Sequence, residues 1–134
     1  MAIEWKKDYE TGEPKVDSQH QKLFECVNHL ERLIQTGSPS RADLDRLFNF
    51  LGMYVQSHFS YEELCMFQHH CPMAQKNREA HQKFTEAYRA FLERYQRCGP
   101  HLPLLKELHQ AAEAWLVQHI CKVDTHLRAC VASS

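Results

Sequence analysis

Glycine and proline are scarce, four and five of 134 residues, and nowhere do apolar and polar residues alternate over a long stretch. Both absences argue against strands. No apolar run approaches the roughly 18 residues of a transmembrane helix. The N-terminus, "MAIEWKKDYETGEP", lacks the apolar segment of a secretory leader, so the expected compartment is the cytoplasm. Neither charge sign is in excess: 16 basic and 17 acidic residues leave a net charge of −1. That balance supports neither a nucleic-acid nor a membrane-surface role. Cysteine is present six times, at Cys26, Cys65, Cys71, Cys98, Cys121 and Cys130, but never as a CxxC pair. In a reducing compartment most are read as small buried residues or free thiols. What is abundant is histidine, with ten, and placement determines whether that matters.

The chain reads as one all-α domain spanning 1–134. An extended arm, residues 1–16, carries Trp5. An antiparallel up-down-up-down four-helix bundle occupies 17–130. The first helix runs from about Ser18 to Gln35, capped by Asp17 or Ser18, with Leu23, Val27, Leu30 and Ile34 on its apolar stripe. The second runs from about Arg41 to Gln68 behind a Ser40 cap, and "HHCP" ends it. The third runs from about Met73 to Arg97 and stops at Gly99-Pro100. The fourth starts near Pro103, an acceptable first-turn residue, and reaches about Arg128.

Each stripe contains polar residues able to bind a metal. Helix one has His20, and helix two has His58 and Glu62 at i, i+4. Helix three has Asn77 and His81 at the same spacing. Helix four has His119, with Asp124 five residues on. A lone histidine on an apolar stripe is more often a hydrogen-bonded core residue than a ligand. A carboxylate at a core position, however, is costly unless paired or metal-bound. In an antiparallel bundle the starts of helices one and three lie beside the ends of helices two and four, so all these groups meet at one end. Imidazole with carboxylate suits iron, zinc or manganese. Four histidines and two carboxylates exceed the needs of one tetrahedral ion and fit two closely spaced ions.

The segments "VDSQHQKLF" (16–24), "HFSYEELCM" (58–66), "HQKF" (81–84) and "WLVQHICKVD" (115–124) resemble the hemerythrin family, in particular its single-domain bacterial members. The arm is similar too, with Trp5, Tyr9 and Gly12 in order. The resemblance implies a pair of iron ions joined by carboxylate and oxo or hydroxo bridges. His20 and His58 would hold the iron at which oxygen binds, His81 and His119 the other, and Glu62 and Asp124 would bridge them. It also implies an apolar oxygen pocket formed by Phe59, Trp115, Leu116 and Ile120, with Phe24. The family pattern places one more histidine ligand at the position of Asn77. Three readings follow: Asn77 ligates through its amide oxygen, water or nothing takes the place, or His69, His70 or Glu63 substitutes.

The implied function is dioxygen binding for transport, storage or delivery, by a monomer with no catalytic acid or base. The alternatives are a peroxidase-like diiron enzyme exploiting the altered second iron, a sensor of oxygen or nitric oxide, and simple metal handling. Cys121, Cys65 and Tyr54 are further candidates near the site, with ordinary core packing as the plainer reading of both cysteines. His29, His101, His109 and His126 are expected at the surface.

Overall fold

The computed structural model describes residues 3–133; the side chains of residues 122–125 and 132–133, and with them that of Asp124, lie outside the described residues. Four helices form the molecule: α1 (Pro14–Gln35), α2 (Arg41–Gln68), α3 (Ala74–Cys98) and α4 (Leu102–Ser133), after a short 3-10 turn at Lys7–Tyr9. No strand occurs among the described residues. The fold is the all-α four-helix bundle expected from the sequence.

The start of α1 departs from expectation. Pro14 occupies the first turn, where its missing N–H is no loss, and Glu13 caps the helix by accepting from the Val16 N–H. Asp17 is therefore inside the helix. Its Oδ1 accepts from both the backbone N–H (2.7 Å) and the hydroxyl (2.9 Å) of buried Thr11, which folds the arm back onto the helix. The arm ends at Glu13 and is not extended throughout. Ile3 and Asn28 exchange two hydrogen bonds of 2.9 Å, and Arg128 on α4 donates to the carbonyls of Asp8 and Glu10.

The other boundaries follow the local chemistry. Ser40 caps α2 by accepting from the Asp43 N–H. At the far end of α2, His70 adopts a left-handed conformation (φ 54°). Cys71 N–H bonds Met66 O and His70 N–H bonds Phe67 O, the paired closure of a Schellman motif. Gly99 closes α3 at φ 69°, ψ −158°, a region essentially open only to glycine.

Two apolar clusters flank a polar layer. The larger contains Leu30, Leu44, Phe48, Phe91, Tyr95 and Leu105. The smaller contains Val16, Cys65, Met66, Cys71, Leu127 and Cys130. On α1, α2 and α4 the buried polar residues His20, Glu62 and His119 fall in sequence between residues of one cluster and residues of the other. Burying charge there is affordable only if its partners are also there.

Candidate metal centre

Glu62 lies at the middle of the polar layer, fully buried. Its two oxygens face different partners. Oε2 is 3.1 Å from His20 Nε2 and 3.2 Å from His58 Nε2. Oε1 is 2.9 Å from His119 Nε2, 3.0 Å from His81 Nε2 and 3.0 Å from Asn77 Nδ2. His81 and His119 bring their Nε2 atoms within 3.4 Å of each other. All four helices thus deliver one end of the bundle to one carboxylate. The i, i+4 spacing of His58 with Glu62 and of Asn77 with His81 accounts for two of these pairings. Asp124 belongs to the same expected set, but its side chain is not described.

The outer ring nitrogens fix what the inner ones can do. His58 Nδ1 is 2.8 Å from the Gln19 side-chain oxygen, an acceptor, so Nδ1 carries the proton. His81 Nδ1 is likewise 3.0 Å from Glu63 Oε2. In the neutral rings Nε2 then presents a lone pair to the Glu62 carboxylate. For His58 this buried Nε2 has no hydrogen-bond partner. Lone pairs converging on an anion repel each other unless a cation sits among them. An imidazole whose far N–H is held by an amide or carboxylate is also the usual arrangement of a metal-binding histidine. The donor set fits a metal centre.

Burial pushes His20 down to about 4, against the opposing pull of Glu62, and burial lowers His119 as well. Both are neutral at pH 7 and able to ligate. Burial acts to raise Glu62, but the imidazoles of His119, His20 and His58 gathered around it outweigh that effect and hold the carboxyl well below the usual range.

Aromatic rings brace the ligands. Phe59 stacks on His81 at 3.8 Å and 7°, and half-buried Trp115 stacks on His119 at 4.6 Å and 9°. Phe84 packs on Trp115 at 4.4 Å. Phe24 lies behind His20 with Trp5 and Tyr9 against it, and Leu116 and Ile120 are buried in the larger core cluster.

The remaining candidates lie in part where they were expected and in part elsewhere. Tyr54 stacks on half-exposed Phe50 at 5.4 Å. Cys121 is exposed, whereas Cys65 is an ordinary core residue of the smaller cluster. Glu63, one candidate to replace a ligand at Asn77, bonds the outer nitrogen of His81. His70 is exposed and His69 partly so. His29 and His101 are exposed, but His109 is largely covered between Glu31 and Glu113, at 3.4 and 3.5 Å. Gln19 was not foreseen. Its only signal was adjacency to His20, and its partner lies 39 residues away.

The model of the Hemerythrin HHE cation binding domain matches residues 11–130. The chain belongs to the hemerythrin family. It is 29% identical over 116 residues to the bacteriohemerythrin of Stenotrophomonas maltophilia, covering 87% of this chain and 72% of that protein. It is 28% identical over 120 residues to that of Pseudomonas aeruginosa, covering 90% and 75%, and 27% identical to that of Pseudomonas paraeruginosa with the same coverage. Membership in this oxygen-binding family implies non-haem iron, and the buried histidine–carboxylate cluster is a chemically suitable place for it. No helix among the described residues is long and apolar enough to cross a membrane.

Proposed function

We propose that this hemerythrin binds dioxygen at a pair of iron ions and serves to store or deliver it. The observation that carries the reading is the division of donors across Glu62: His20 and His58 face one oxygen, His81 and His119 the other. A carboxylate so placed is suited to bridge two ions, each with its own pair of imidazoles, and Asp124 is proposed as the second bridge. When bound, the metal pair supplies the redox chemistry of reversible dioxygen binding.

The protein's share is positioning and exclusion. Gln19 and Glu63 hold the outer N–H groups of His58 and His81 and so keep their Nε2 lone pairs directed inward. Phe59 and Trp115 fix the planes of His81 and His119 by stacking. Phe24, Phe59, Trp115, Leu116 and Ile120 are the proposed apolar lining, which limits entry of water and protons. None of these residues needs to act as acid or base.

Asn77 gives the second ion a different surrounding from the first. As oriented, its amide nitrogen, not its oxygen, faces Glu62 Oε1. This supports the reading in which the ion held by His81 and His119 has one protein donor fewer than the family pattern supplies. The test is spectroscopic. Iron-loaded, reduced protein is exposed to air and then purged. An absorption band that appears with oxygen and disappears on purging supports the carrier reading. Irreversible passage to the oxidised spectrum in one exposure refutes it and favours redox catalysis.

A further inference from the structure

On the Asn77 side of the cluster lies a cavity of about 80 Å³, with Met66, Met73, Lys76, Asn77, His119 and His126 among its walls. Glu62, His20, His58 and His81 do not line it, so it lies beside the donor cluster and reaches it at Asn77 and His119. A water molecule takes about 30 Å³ of liquid volume, so the space suits a solute of two or three heavy atoms. Its walls combine two methionines with the ammonium of exposed Lys76 and the imidazole of His126, and no carboxylate lines it among the described residues. Among the described residues its polar groups at pH 7 are one cation, imidazoles and an amide, a set that favours a small anion over a cation.

We propose that this cavity is a binding site for a small inorganic monoanion, of the size of azide, nitrite or hydroperoxide, which reaches the metal pair from the Asn77 side. The inference rests on the diiron reading above. The hydrogen bond from Asn77 to Glu62 Oε1 draws the short amide toward the carboxylate. An imidazole at position 77 is bulkier and is itself a donor, and would occupy the approach. Lys76, one residue before Asn77, places its charge at the cavity wall. This site is separate from the oxygen position that the diiron reading assigns to His20 and His58, which face the other oxygen of Glu62.

The experiment uses oxidised, iron-loaded protein titrated with sodium azide, followed by calorimetry and by the iron–azide absorption band, with iron measured on the same sample. The expected result is two azides per chain in the wild type and one in Asn77→His. In Lys76→Glu the iron content is unchanged and the weaker or second azide binds about threefold more weakly at low salt, the scale of one exposed charge. One azide per chain in the wild type, with an affinity indifferent to both substitutions, overturns the inference and leaves the diiron reading intact. Fewer than two irons per chain overturns the diiron reading and the inference with it. Lys76→Glu lies on the exposed face of α3 and keeps the test decisive if Asn77→His fails to fold.

Discussion

Replacing Glu63 by alanine separates metal binding from folding more sharply than changing a ligand would. Glu63 Oε2 accepts from His81 Nδ1 at 3.0 Å, and its other oxygen is 3.3 Å from Arg78 Nε, with the Glu63 side chain 26% exposed. The Arg78 pair is a surface contact worth about 0–1 kcal/mol. Its loss, together with the buried His81 N–H left without its acceptor, lowers the stability of the metal-free protein by about 1–3 kcal/mol, or about 3–10 °C in Tm for a domain of this length. The His81 contact also acts on the metal. Without the carboxylate the ring can rotate and change tautomer, and its Nε2 becomes less basic. Loss of such a partner costs about 10- to 100-fold in metal affinity, or about 1.4–2.8 kcal/mol. The assay is competition for iron against a chelator of known affinity, beside thermal unfolding of the metal-free protein. Glu63→Gln, which keeps an acceptor but loses the charge, should fall between wild type and alanine. Wild-type iron affinity in Glu63→Ala, or a Tm loss that accounts for all of the change, would refute the reasoning.

Three further outcomes follow from the geometry. In the metal-free protein His20 is held at about 4, below its ordinary 6.5, so the unfolded chain takes up the proton first as pH falls. His20 therefore contributes stability that is present above pH 6.5 and is lost between 6.5 and 4, by about 3 kcal/mol; urea unfolding at pH 7, 5.5 and 4 measures it, and a His20→Gln variant should show a shallower fall. Gly52→Ala should stabilise α2 by about 0.5–1 kcal/mol in denaturant unfolding, because the added Cβ meets only Tyr88 Cε2 at 3.5 Å; a loss would mean that contact is tighter than its distance implies. His70→Gly should gain about 1 kcal/mol by relieving the left-handed backbone at φ 54°; no gain in the unfolding midpoint would mean the His70 side chain makes a compensating contact.

The bundle was legible because each helix announced itself twice, by a stripe and by its ends. Ser40, Gly99-Pro100 and the "HHCP" break placed the limits of α2 and α3 within a residue or two. The start of α1 was missed because Asp17 is a strong local cap candidate. A tertiary hydrogen bond with Thr11 claimed its carboxylate, and Pro14 with Glu13 took over the helix start. The inward groups His20, His58, Glu62, His81 and His119 could be read because a carboxylate and histidines on apolar stripes demand a common partner. Gln19 and Glu63 could not. Each looks like a surface residue beside a ligand, and its role depends on a ring nitrogen presented by another helix. Cys121 illustrates the reverse error, since nearness to His119 in sequence left it on the outer face of α4.

The central claim, a metal pair divided across Glu62, is tested most directly by iron content. The protein is reconstituted with ferrous iron without oxygen, desalted, and assayed for iron per chain in the wild type and in Glu62→Ala. The account predicts two irons per chain in the wild type and loss of at least one in a Glu62→Ala variant that still folds as a helical bundle. One iron or none in the wild type, or two retained without Glu62, would contradict it.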